Sequence, residues 1–171
     1  FANGSLSLMQ RREARRSSTD RRVSVVADLV NKTPGPWVVW CDLNAESGAL
    51  TAAIDGALEI RGSDDIEDKE QALRAFATGE ARVLVSKPSI CGWGLNWQHC
   101  HQMAFVGLSD SFEGYYQAVR RCWRFGQRKP VDVHVVSSEL EGAVVANIKR
   151  KGAMAEEMAK ELTEATREAL Q

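Results

Sequence analysis

The sequence predicts an α/β fold, a three-layer architecture in which a parallel sheet carries helices on both faces. Two observations carry this expectation. Short runs with strand character, Trp37 to Cys41, Ala57 to Ile60, Arg82 to Ser86, Met103 to Val106 and Val131 to Val136, alternate with longer segments of helical character, and such alternation is the pattern of parallel strands joined by crossovers. Turn formers fall between the runs, most clearly at Lys32-Thr33-Pro34-Gly35-Pro36 and at Gly79.

Taken in order, a helix is expected from about Gln10 to Asn31, ended by the proline-glycine-proline stretch before the first strand. A helix from about Ala45 to Asp55 leads to the second strand. A third, from Ile66 to Thr78, turns Leu73 and Phe76 inward and stops at Gly79. Two strands follow, then a helix with Asp110 or Ser111 as cap and Glu113 in its first turn. After the last strand, residues from Ala143 onward form a helix with only a thin apolar stripe, Met154, Met158, Leu162, Ala165 and Ala169. The organisation expected is a basic N-terminal helix or connector over 1–31, a lobe over 32–142 and a C-terminal helix over 143–171 packed on that lobe. A docking role for this last helix is the alternative.

With 171 residues, 44% of them hydrophobic, the chain suits one domain with a sizeable core. No apolar run approaches the roughly 20 residues of a membrane span, and no signal peptide is expected. The four cysteines contain no Cys-x-x-Cys pair, which suits reduced thiols in a cytoplasmic protein without membrane partners. His99-Cys100-His101 lacks a second ligand pair at useful spacing, so no metal site is expected. The net charge of −1 hides an uneven distribution. Asp64 to Glu70 is acidic, whereas Arg11, Arg12, Arg15, Arg16, Arg21 and Arg22 crowd the beginning, among Glu13 and Asp20. Local basic surface, not net charge, is what binds nucleic acid; here the arginines are either such a surface or a solvated face.

The chemistry concentrates between Tyr115 and Val131, which holds five basic residues and no acidic one. On a continuous helix Gln117, Arg121 and Arg124 share a face, and Tyr115, Ala118, Val119 and Cys122 lie on another that can pack on a core. Two guanidinium groups without local carboxylates suit a phosphate, which the planar fork binds through paired hydrogen bonds. Upstream, Val83 to Ser86 reads as a buried strand opening into a loop with Gly92-Trp93-Gly94-Leu95-Asn96. Ligands sit beyond the carboxyl ends of such strands. Trp93, Trp97 and Trp123 could stack on a base, but core positions are the expectation, and His134 is expected to be packed within its strand.

These two segments, Gly92 to Asn96 and Gln117-x-x-x-Arg121-x-x-Arg124-x-Gly126-Gln127, resemble motifs V and VI of superfamily-2 helicases, in particular the Swi/Snf-like branch and its phage and prophage relatives. Trp37 to Asn44 is similar to motif IV, and Ile60-Arg61-Gly62-Ser63 followed by Phe76 to the next strand, turn and helix. The resemblance covers about residues 23 to 150. It implies the carboxy-terminal RecA-like lobe of a DNA helicase, with RNA not excluded. In that setting Arg121 and Arg124 are the catalytic arginine fingers, and Gln117, Gly94 and Asn96 contact ATP. Asn44, Gly62, Ser63, Ser86 and Lys87 touch the nucleic-acid backbone.

No Gly-x-x-x-x-Gly-Lys-Ser/Thr phosphate loop occurs in the sequence. ATP and Mg2+ are therefore expected to be held mainly by a first lobe of the same polypeptide, with no cofactor bound and no hydrolysis by this chain alone. Its start at Phe1 fits a piece of a longer polypeptide. Ser86 stands where relatives commonly have threonine, and Lys87-Pro88 adds a charge. Arg120 sets a second arginine beside Arg121, which helical geometry favours as the finger, since the neighbour turns about 100° away. The alternative reading is a stand-alone nucleic-acid-binding or regulatory module that lacks ATPase activity.

Overall fold

The computed structural model describes residues 9, 13, 16–91, 96–109, 111–138 and 141–169. Five strands form one parallel sheet: β1 (Trp37–Cys41), β2 (Ala57–Ile60), β3 (Val83–Ser86), β4 (Gln102–Val106) and β5 (Asp132–Val136). Their spatial order is β2-β3-β1-β4-β5. The helices are α1 (Thr19–Lys32), α2 (Asn44–Ala53), α3 (Ile66–Thr78), α4 (Phe112–Val119) and α5 (Gly142–Ala169). The expected three-layer α/β architecture is the one found.

The period of two in the strands explains the layers. Trp37, Val39, Cys41, Val83, Val85, Ala104 and Val106 point to one face, where Val23, Val26, Ala27 and Val30 of α1 and Leu50 of α2 cover them. Val38, Trp40, Leu84, Met103 and Phe105 point to the other, against Phe76 of α3, Ala118 of α4 and Val144 and Ile148 of α5. Every residue of β1, β3 and β4 is buried, as expected of parallel strands covered on both faces. Register is correspondingly unambiguous, with Val39 opposite both Val85 and Ala104.

Helix ends follow local chemistry. Gly79 takes the left-handed conformation at the end of α3, with φ of 82°. The Ser111 hydroxyl accepts from Gly114 N at 3.0 Å and caps α4; Asp110, the other cap candidate, lies outside the described residues. At α2, Glu46 reaches back so that its Oε2 accepts from the backbone N–H of both Asp42 and Leu43, each at 3.0 Å. Met154 and Met158 of the C-terminal stripe are more than half exposed, and the side chains of Leu162, Ala165 and Ala169 lie outside the described residues.

Two expectations change. Helix α4 ends at Val119, and the segment after it proceeds through turns, with Arg121 N donating to Ala118 O and Cys122 N to Val119 O, both at 3.2 Å. Gln117, Arg121 and Arg124 therefore do not share one helical face. His134 lies exposed on the edge strand β5, with its ring 5.6 Å from that of Trp37, because only one neighbouring strand covers it.

Candidate functional site

The order β2-β3-β1-β4-β5 places a reversal between β1 and β4: the chain leaves β1 toward β2 on one side and leaves β4 toward β5 on the other. Beyond the carboxyl ends of strands at such a point, loops diverge and leave a crevice. An open cleft of about 430 Å³ occurs there, lined by Asp42 after β1, Pro88 and Ser89 after β3, Ser109 after β4, and Ser111, Glu113, Gly114 and Gln117 of α4 and its cap. A small pocket of about 20 Å³ adjoins it and shares Asp42, Pro88 and Ser109. That is room for about one water. Trp40 lines this pocket, and its buried indole N–H finds no acceptor among the described residues.

The turn after α4 carries the arginines. Arg124 is exposed, whereas Arg121 retains only 5% exposure. Burial lowers the Arg121 pKa below its ordinary value, the charge of Arg124 lowers it further, and Cys91 opposes both. Arg121 is thus a semi-interior cation next to an accessible one, which corrects the expectation that the two arginines share one face turned away from the core. Arg120 sits 5.9 Å from the ring centre of Tyr116 and 5.6 Å from that of Trp123. These cation–π contacts engage its guanidinium on the opposite business of packing. Trp123 is half exposed, contrary to its expected core position, while Trp97 is buried and packs edge-on to Phe76 at 5.4 Å. Trp93 lies outside the described residues.

The turn is fastened to the segment before β4. Trp97 N donates to Arg121 O at 2.9 Å. The Gln127 side-chain amide donates to Cys100 O at 3.0 Å, Gln98 O at 3.1 Å and Cys122 O at 3.2 Å, and its oxygen accepts from Lys129 N at 3.0 Å. Gln98 reciprocates by donating Nε2 to Phe125 O. The segment resembling motif VI and the Trp97–Cys100 stretch before β4 are therefore one hydrogen-bonded unit. Gly126, with φ of 93°, permits the reversal between Phe125 and Gln127.

The other expected residues divide. Asn44 begins α2 and is exposed, Gly62 and Ser63 are exposed after β2, and Lys87 is half-buried after β3. Lys69 Nζ donates to Gly62 O at 2.8 Å and steadies that turn. Gln117 lines the cleft and Asn96 is exposed. Gly94 lies outside the described residues. Ser86 is fully buried; its hydroxyl donates to Ile60 O at 2.9 Å and accepts from Cys91 Sγ at 3.2 Å. A group enclosed in this way ties β3 to β2 and is not available to a polymer outside, so the expected backbone contact is corrected to a structural one.

Sequence reasoning passed over a buried ionic cluster. Arg22 of α1, 3% exposed, places Nη1 at 2.8 Å from Glu46 Oε1, with Glu46 fully buried. Its Nε donates to Ser18 Oγ at 3.1 Å and lies 4.0 Å from Glu141 Oε2. Glu141 in turn accepts from Ser138 N at 2.8 Å and Ser138 Oγ at 3.1 Å. Arg22 is therefore not a surface cation for nucleic acid. The readable signal was a glutamate three positions inside a helix that follows a strand. Of the other N-terminal arginines, Arg16 and Arg21 are exposed, and Arg11, Arg12 and Arg15 lie outside the described residues.

No group of three His, Cys, Asp or Glu that could hold a metal occurs among the described residues. The cysteines there, Cys41, Cys91, Cys100 and Cys122, are buried free thiols. No helix is long and apolar enough to cross a membrane among those residues.

Sheet order, helices on both faces and a cleft at the strand reversal define a RecA-like α/β lobe. The chain belongs to the helicase conserved C-terminal domain family, whose model matches residues 21–126. Among curated relatives it is 26% identical over 113 residues to the DEAD-box ATP-dependent RNA helicase 35A of Oryza sativa subsp. japonica, covering 63% of this chain and 18% of that protein. It is 27% identical over 109 residues to the ATP-dependent RNA helicase eIF4A of Yarrowia lipolytica, covering 61% and 27%. The chain thus spans about a fifth to a quarter of the relatives' length. Similar folds are the C-terminal part of the Fun30 ATPase domain, at a TM-score of 0.66 and 14% identity over 74% of this chain and 44% of that one, and the C-terminal domain of the DEAD-box protein Dbp5, at 0.62 and 16% over 77% and 78%. A DEAD box protein from Methanococcus jannaschii matches at 0.67 and 18%, over 77% and 37%.

Proposed function

We propose that this helicase C-terminal domain is the second lobe of a nucleic-acid-dependent ATPase, presenting arginines to ATP held by a first lobe of the same polypeptide and loop donors to a DNA backbone. The observation that supports this best is the exposed Arg124 on a turn that is pinned by Gln127 and follows the cleft-lining helix α4.

The donor set suits the nucleotide's phosphates. Bound ATP supplies the phosphoryl group that is transferred, with Mg2+ held mainly by the first lobe. From this chain, Arg124 donates its fork to charge developing on the γ-phosphate oxygens, and Arg121 adds a second positive charge from its more buried position. Gln117 and Asn96, with Gly94, close around the nucleotide. Arginine fingers contribute about 10³ to 10⁵ in rate in GTPases, on the order of 4 to 7 kcal/mol.

For the polymer, Asn44, Gly62, Ser63 and Lys87 offer amide, backbone, hydroxyl and ammonium donors outside the strand ends. Contacts of this type fix position without reading sequence. The resemblance of the Gly92–Asn96 and Gln117–Gln127 segments to the Swi/Snf-like, phage-type branch favours DNA as the polymer, and the buried free cysteines suit a cytoplasmic setting, while the names of the curated relatives specify RNA helicases. The assay therefore includes both polymers.

The test is steady-state ATP hydrolysis by the full-length polypeptide with single-stranded DNA or RNA, beside the isolated chain. Stimulated turnover by the former and none by the latter is expected. Hydrolysis by the isolated chain that Arg124→Ala abolishes, or a full-length protein indifferent to both polymers, overturns the proposal.

A further inference from the structure

The β1–α2 loop is shaped by a single buried carboxylate. Glu46 Oε2 accepts from the consecutive N–H groups of Asp42 and Leu43, and the next residue, Asn44, is exposed at the first turn of α2. The other oxygen, Oε1, accepts from Arg22 Nη1 at 2.8 Å. A carboxylate sharing its two oxygens in this way has its rotation fixed from both sides. Arg22 comes from α1, whose Val26 and Val30 are fully buried against the sheet. Across from Glu46, Arg22 Nε approaches Glu141, which accepts from Ser138 just after β5. One guanidinium therefore joins α1 to loops at the carboxyl ends of β1 and β5. The planar fork can address Glu46, Ser18 and Glu141 together, where an ammonium cannot.

We propose that Arg22 is a positioning residue for nucleic-acid binding: through Glu46 it holds the β1–α2 loop, and with it Asn44, in the conformation that meets the polymer backbone. This rests on the assignment of Asn44 to the nucleic-acid face. Arg22 itself is too enclosed to touch a polymer. Its effect passes through the Glu46 carboxylate and the two loop amides, so the loss of Arg22 and the loss of Asn44 remove the same contact.

The experiment measures the affinity of the 171-residue chain for a fluorescein-labelled oligo-dT strand and an oligo-rU strand at low salt by anisotropy, for the wild type, Arg22→Lys, Asn44→Ala and the double variant. Thermal melts establish that each is folded. Asn44→Ala should weaken binding about fivefold, the scale of one lost hydrogen bond. Arg22→Lys should weaken it similarly, and the double variant should bind no more weakly than either single one. Effects that multiply, or an Arg22→Lys variant that binds like the wild type while Asn44→Ala is impaired, overturn the positioning role and leave the nucleic-acid reading intact. Wild-type affinity in Asn44→Ala removes this loop from the nucleic-acid face, and the inference falls with it. Should Arg22→Lys fail to fold, Arg22→Met/Glu46→Gln/Glu141→Gln replaces it, because exchanging the charges of the cluster together avoids stranding one in the interior; the same non-additivity with Asn44→Ala is expected.

Discussion

The side-chain amide of Gln127 donates to the carbonyl of Cys100 at 3.0 Å, across a gap of 27 residues, and so fixes the arginine-bearing turn to the segment that enters β4. The same amide serves Gln98 and Cys122. Gln127→Ala should lower the melting temperature, with a cost of about 1 to 3 kcal/mol for carbonyls left unsatisfied. Gln127→Glu should cost more, since carboxylate oxygens would face carbonyl oxygens. Thermal melts of the two variants check the order.

Ser86 and Lys87 are adjacent in sequence and should behave oppositely. Ser86→Ala removes a buried donor to Ile60 O and should cost about 1 to 3 kcal/mol of stability without changing nucleic-acid affinity. Lys87→Ala should leave the melt nearly unchanged, weaken binding to every sequence alike and reduce the salt slope by about one. Urea denaturation and salt-dependent anisotropy separate the pair.

Burial pushes the Cys41 thiol up to about 12 from its ordinary 9.0, against the opposing pull of Ser47 and Lys87. The neutral thiol is the form favoured in the folded state. Its contribution is therefore complete below about pH 9, where the unfolded thiol is also protonated, and is lost as pH rises toward about 12. Cys91 and Tyr115 are shifted upward by burial as well. Denaturation midpoints should fall over this alkaline window, and the difference between wild type and Cys41→Ala should narrow there. A thiol reagent at neutral pH should find the buried cysteines only after unfolding; rapid reaction in the native protein would contradict this.

The layers were legible because β-strand periodicity and the breakers at Lys32–Pro36 and Gly79 are local signals. The two faces of β1 follow from alternation alone: Trp37, Val39 and Cys41 go one way, Val38 and Trp40 the other. The early end of α4 was not legible, since Arg120 to Arg124 have ordinary helix propensity, and the turn is set by hydrogen bonds that join Phe125 and Gln127 to Gln98, which is distant in sequence. Ser86 illustrates the same limit. Its residue type suits a backbone contact, but only pairing of β2 with β3 puts Ile60 O beside its hydroxyl. Arg22 and Glu46 are 24 positions apart, and nothing local distinguishes Arg22 from the exposed Arg21 except the inward face shared with Val26.

The most direct measurement is the steady-state rate of ATP hydrolysis by the full-length polypeptide carrying Arg124→Ala, with saturating nucleic acid and a melt of each variant. Turnover should fall by at least ~10²-fold, a bound below the range of known fingers, with the melting temperature held, because Arg124 is exposed. Arg124→Lys should not restore the rate, since one ammonium cannot reproduce the fork. Arg121→Ala should reduce both rate and stability, given its 5% exposure, and Arg120→Ala should be mild. Normal turnover in Arg124→Ala, or a loss matched by unfolding, would make this turn structural and contradict the assignment of the chain's arginines to phosphate.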